Sequence, residues 1–485
     1  MESTTHDFKA RATAALLDTD LQLALTRAHG GFVRKRKVAM DAFPEFEALR
    51  EAAHAIKEHT LSHLDFYLTR FESQVEASGG QVHWARTAEE ACESIADICA
   101  RARGKRIIKG KSMIGEEIGI NEALMAAGLE VTETDLGEYI IQLAGETPSH
   151  IIAPAVHKTR DEVARLFAEH HAKHGFVGER TEVPALVAEA RTVLRSVFLT
   201  ADVGITGANF LVAETGSSVL VTNEGNGDLS AALPRVHIVL ASIEKVLPTL
   251  EDATAFLRLL GRSATGQVMS GYTTFFTGPR RRDDRDGPRE YHVVLVDNGR
   301  AELLASPYRE ILYCIRCGAC LNHCPVYSAV GGHAYGWVYP GPMGAVLTPL
   351  LRGRQANAWD LPHACTLNGR CEDVCPVKIP LPMLLRQLRA DAYAHKETPR
   401  EMRIPLAAWG LLARHPWLYG HVAKLGAGML RKIGLKMTDP RMTDQKRRPW
   451  RRLPFLDAWT GTRELPIPPG ESFQTQWQRQ VERED

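Results

Sequence analysis

Residues 313–330 read YCIRCGACLNHCPVYSAV. Four cysteines, Cys314, Cys317, Cys320 and Cys324, fall within eleven positions, and Pro325 follows the last. This is C-x2-C-x2-C-x3-C-P, a spacing that holds iron–sulfur cubanes. Three thiolates on so tight a loop cap three irons of one cluster, while the proline turns the fourth towards a neighbouring cluster. Structural zinc sites group their cysteines as two separated pairs and need no third C-x2-C step, so the spacing argues for iron.

A second stretch, CTLNGRCEDVCPVKIP at 365–380, supplies Cys365, Cys371, Cys375 and Pro376, with Asn368 where the template has its second cysteine. Exchange of the fourth ligands gives a first cluster on Cys314, Cys317, Cys320 and Cys375 and a second on Cys365, Cys371 and Cys324. The first set is complete. The second lacks one sulfur and leaves three outcomes open: a 3Fe-4S cluster, a 4Fe-4S cluster whose last iron takes Asn368, His363 or solvent oxygen, or no second cluster. Between the motifs, GGHAYGWVYPGPMGAVLTPLL at 331–351 brings Tyr335, Trp337 and Tyr339, which would exclude water from a helical two-cluster module.

The remaining composition bounds the chain without naming it. At 485 residues, 44% apolar and 24% charged, it has the make-up of a soluble globular protein of several domains. A net charge of +1 gives no reason to expect nucleic acid as a partner. Seven of the nine cysteines lie at 314–375, a poor disulfide framework and a good metal one, which suits a reducing cytosol. Cys92 and Cys99 read as packed thiols of one helix. The longest apolar candidate, IPLAAWGLLARHPWLYGHVAKLGAGML, is broken by Arg414, His415, Pro416 and Lys424, so no membrane span is expected.

Four regions follow from the patterning. Residues 1–70 form a helical arm, with Leu49, Ala53, Ile56, Leu61, Leu64 and Leu68 near helical spacing. Over 71–300, short apolar strands (QVHWA, KRIIKG, LEVTETD, HIIAPA, ANFLVAETGSSVLVTN, VHIVLAS, YHVVLVDNG) alternate with helical segments, which predicts an α/β domain whose parallel or mixed sheet is covered on both faces. Residues 301–395 form the cysteine module, and 396–485 a helical tail rich in Trp, Pro and Arg. The basic run RKIGLKMTDPRMTDQKRRPWRRLPF beside Trp409, Leu412, Trp417 and Leu418 would suit peripheral contact with anionic headgroups at the inner face of the membrane; docking to a partner or to the cysteine module is the competing reading.

No nucleotide fingerprint is met. In GKRIIKGKS the glycine spacing is wrong for a phosphate loop, and GITGANFLVAETG contains no G-x-G-x-x-G. His150 and His157 read as structural. Polar residues and glycines do gather where strands are predicted to end, namely Asp135, Glu138, Glu214, Glu224, Gly225 and Asn226. Ligands of open α/β sheets bind there, so these six are the candidate substrate contacts, with turn and cap chemistry as the alternative.

The blocks DLGEYIIQLAGETPSHIIAPAVHK, GITGANFLVAETGSSVLVTNEGN, CIRCGACLNHCPVY, GGHAYGWVYPGP and CPVKIPL resemble those of the lactate utilization protein B family, over nearly the whole chain. The resemblance implies a lactate-utilization α/β domain similar to the NagB/RpiA/CoA-transferase-like fold, followed by an α-helical ferredoxin module. It also implies work in a three-protein cytoplasmic complex oxidising L-lactate to pyruvate, beside a cysteine-rich A subunit and an α/β C subunit. The electron acceptor is not implied. A stand-alone hydroxy-acid oxidoreductase with its site in the α/β domain is the rival expectation.

Overall fold

The computed structural model of the chain describes residues 3–353, 357–437 and 472–484. Ten strands form: β1 (Gln81–Ala85), β2 (Arg106–Lys109), β3 (Glu130–Glu133), β4 (Val203–Gly207), β5 (Phe210–Val212), β6 (Ser217–Thr222), β7 (Val236–Ser242), β8 (Val246–Leu247), β9 (Tyr272–Phe276) and β10 (Glu290–Val296). Six make a wholly parallel sheet in the order β1-β10-β7-β4-β2-β3. The other four make a smaller mixed sheet, β8-β5-β6-β9.

The central strands are buried on both faces, as parallel strands between helices must be. Alternate residues divide between two cores. Ile238, Leu240, Val294 and Val296 meet the helix Ala88–Arg101, which buries Ala91, Ile95, Ile98 and Cys99 at helical spacing and is capped by Thr87. On the opposite face, Val239, Ala241, Val293 and Leu295 join a larger core. That core runs from Leu61, Leu68 and Phe71 of the amino-terminal helices, through β5 and β6, to Ile315, Trp337, Tyr339 and Leu385 of the cysteine module. Arm, sheet and cysteine module accordingly form one compact unit, Met1–Ala392, and Tyr393–Asp485 forms a second.

The segment HIIAPA is not a strand. His150 Nδ1 accepts from the Ile152 and Ala153 amides at 2.9 and 3.1 Å, and Pro154 follows, so the segment closes into a loop. β4, by contrast, is a central strand that the patterning hides behind glycines. At Gly204 a Cβ would lie 1.8 Å from the Ser230 carbonyl oxygen, so the helix Asn226–Ala232 could not sit on a strand with any side chain there.

In the second unit, Arg400–Ala413 and Pro416–Met437 are separate helices, and Trp409 and Trp417 are exposed. Most of the basic run lies outside the described residues. No helix among the described residues is long and apolar enough to cross a membrane.

Candidate metal centre

Cys314 ends a short turn, Arg309–Tyr313, and the chain then wraps tightly, with Arg316 and Gly318 left-handed at φ 58° and 74°. The second stretch repeats the path: Leu367 and Gly369 are left-handed at φ 54° and 83°. Asn368 therefore occupies the backbone station of Cys317. It is exposed where Cys317 is buried, and its Oδ1 accepts from the Arg370 amide at 3.2 Å.

The two stretches exchange their last cysteines in space. Cys314, Cys317, Cys320 and Cys375 line one cavity of about 20 Å3, walled by Ile151, Met343 and Leu381. Cys324, Cys365 and Cys371 lie within electrostatic reach of one another, and Cys320 senses Cys371, so the two sets adjoin. All seven thiols are free and buried or half-buried.

Backbone amides aim at the sulfurs: Arg316 N to Cys314 Sγ at 3.4 Å, Leu367 N to Cys365 Sγ at 3.3 Å, and Ile379 N to Cys375 Sγ at 3.4 Å. Burial, reinforced by neighbouring thiols, pushes Cys317 and Cys371 up to about 12. So crowded a thiol set ionises only when a cation shares the cavity, and soft sulfur donors with amide hydrogen bonds are the donor chemistry of iron–sulfur clusters. The residues fit the group. His363 keeps a buried Nε2 with no hydrogen-bond partner among the described residues.

Side chains of the amino-terminal arm flank the first set. Arg36 donates to Val374 O and Arg50 to Cys375 O, each at 2.9 Å, and His54 Nδ1 lies 3.0 Å from Val377 O. These three belong to the helices Thr19–Asp41 and Phe46–Ser62, so the arm clamps the carbonyls flanking the last cysteine. Lys57 donates to the Glu244 carbonyl, and burial lowers it to about 8. Glu244 sits 2.9 Å from Arg300 and 3.4 Å from Arg316, and Arg300 also grips Glu117 at 2.6 Å. Burial alone would raise Glu244, but Arg300 and Arg316 hold it down to about 2.

Beside this network opens a cavity of about 220 Å3 at the carboxyl ends of β2, β4 and β7. Asp135, Glu224 and Asn226 line it, as do Lys111, Ser112, Lys245 and Arg316. The other three candidates lie elsewhere. Glu138 is buried near Lys109, Glu116 and Glu133, and burial, with those carboxylates, pushes it well above the carboxylate range. Glu214 accepts from the Leu250 amide at 2.9 Å, a helix-start contact. Gly225 is the left-handed residue that opens the helix Asn226–Ala232. Lys111, Lys245 and Arg316 carry no shared motif; the one local signal is KGKS following a predicted strand.

A LUD domain model matches residues 68–296, and a 4Fe-4S dicluster domain model matches 310–379. Sheet and thiol sets together define a LUD-domain protein with a dicluster iron–sulfur module. Among its relatives, an uncharacterized electron transport protein of Escherichia coli (strain K12), YkgF, is 40% identical over 97% of this chain and 96% of its own. Lactate utilization protein B of Oceanobacillus iheyensis is 40% identical over 98% of this chain and 97% of its own, and that of Shouchella clausii 42% over 96% and 95%. The chain belongs to the lactate utilization protein B family.

Proposed function

We propose that the chain is the electron-carrying iron–sulfur subunit of a cytoplasmic assembly that oxidises L-lactate to pyruvate. One observation carries the reading: Cys375 shares a cavity with Cys314, Cys317 and Cys320, while Cys324 turns away to Cys365 and Cys371. The first set would hold one 4Fe-4S cluster. The second, with Asn368 at the corner lacking sulfur, would hold a 3Fe-4S cluster or a 4Fe-4S cluster with a non-cysteine ligand. Such clusters take up and release single electrons.

The chain's own residues supply shielding and charge. Tyr335, Trp337 and Tyr339 are at most 3% exposed, and Arg36, Arg50 and Arg316 offset the negative charge of thiolates. The relatives named for electron transport and for lactate utilization support the same assignment. A cysteine-rich A subunit and an α/β C subunit would complete the assembly.

Anaerobic reconstitution with iron and sulfide, followed by metal counts and electron paramagnetic resonance, tests the reading. A three-iron signal in the oxidised protein selects that form of the second cluster. Colourless protein carrying zinc overturns the proposal. The cation-lined cavity favours a second reading, in which this chain itself oxidises a hydroxy acid; lactate-dependent dye reduction by the chain without partners would select it.

A further inference from the structure

The cavity at the carboxyl ends of β2, β4 and β7 is chemically asymmetric. Asn223 and Glu224 are exposed at its rim, whereas Arg316 is 8% and Tyr339 1% exposed. Its buried end is therefore cationic. Arg316 is held in place by Glu244 and stacks over the Tyr339 ring at 4.7 Å. Lys111 donates to the Ile152 carbonyl at 2.6 Å. For the Lys245 ammonium, the described residues supply neither a hydrogen bond nor an ion pair within salt-bridge distance, although it lines the same space. A cation left half-buried and without a direct partner calls for an anion.

Two further groups at this cavity lack partners. Asn226 is 7% exposed, and its Oδ1 is buried with no hydrogen bond among the described residues; Thr222 Oγ1 is in the same condition. Buried polar atoms of this kind are rare unless something else satisfies them. An amide oxygen needs a donor, which a carboxylate cannot provide and a hydroxyl can.

Size narrows the choice. At about 220 Å3 the cavity falls below the range of about 300–1,000 Å3 usual for drug-sized ligands. An acid of a few heavy atoms fits.

We propose that this cavity binds a small 2-hydroxy monocarboxylate, and its 2-oxo counterpart, with the carboxylate on Lys245 and Arg316 and the hydroxyl on Asn226 Oδ1. This rests on the lactate-oxidation reading only for the choice of acid, and it deepens that reading by giving the α/β domain the substrate. Arg316 lies between Cys314 and Cys317, so the acid would sit against the cysteine loop itself.

Titration calorimetry of the anaerobically purified full chain with L-lactate, pyruvate and neutral lactamide tests the site, with iron counted in every sample. Both acids should bind saturably, and lactamide weakly. Lys245→Met should weaken both acids by about tenfold to a hundredfold, the range for losing a hydrogen bond to a charged group. Lys245→Arg should restore most of that loss. Asn226→Leu, remote in sequence from the cysteines, should weaken lactate more than pyruvate, and it decides the matter should the Lys245 variants lose iron. Absence of saturable binding by iron-loaded protein, or unchanged affinities in Lys245→Met and Asn226→Leu, overturns the proposal. Protein that takes up no iron on reconstitution with iron and sulfide yet still binds lactate overturns the electron-carrier reading instead and leaves the cavity assignment standing.

Discussion

At position 332 a methyl group has nowhere to go. A Cβ on Gly332 would stand 1.7 Å from the Ser149 carbonyl oxygen, where the cysteine module meets the loop His150 organises. Gly332→Ala should lower stability by about 1–3 kcal/mol, or more if the backbone cannot yield, visible as an earlier urea midpoint. The thiols make a second residue-level prediction. Cys375→Ser should remove iron from the first set and spare the second, with Cys371→Ser doing the converse, as read by metal counts and paramagnetic resonance. The iron–sulfur module was legible because its signal lies in local spacing, with a proline after each last cysteine. Lys111, Lys245 and Arg316 were not, since they come from three distant segments and line one cavity only when β2, β7 and the cysteine loop converge.

Among elements, the junction between the α/β domain and the cysteine module depends on a buried charge chain. Arg300 bridges Glu117 and Glu244, and Tyr339 donates to Glu117. Arg300→Met would strip buried Glu117 of its guanidinium and leave Glu244 with Arg316 alone, at a cost of about 3–5 kcal/mol, measurable by chemical denaturation. Most strands were readable from runs of Val, Ile and Leu. β4 escaped because Gly204 and Gly207 break such a run where a helix and the Ser112 turn press close, whereas HIIAPA imitated a strand although His150 and Pro154 bend it. Three of the six polar candidates proved to be a buried acid, a cap and a turn residue: strand ends attract such residues for folding as well as for binding.

For the whole molecule, acid is the informative stress. Burial lowers His150, His157 and His292 to about 4 and His237 to about 3, from an ordinary 6.5. The unfolded chain binds these protons first, so this stability is complete above about pH 6.5 and is lost as pH falls towards 4. Glu244, held low, loses its contribution further down, while Glu133 and Glu138, raised by burial, oppose the trend. Melting temperature should decline from pH 6.5 to 4, and His237→Gln should flatten that decline while lowering stability at pH 7.5.

The grip of Arg36, Arg50 and His54 on the carbonyls of Val374, Cys375 and Val377 ties a stretch made early to one made more than three hundred residues later. Translation must pass Cys375 before that clasp can shut. Closure of the first cysteine set therefore waits for residue 375, and a chain stopped between Cys324 and Cys365 would carry four thiols without the clasp that completes their pocket.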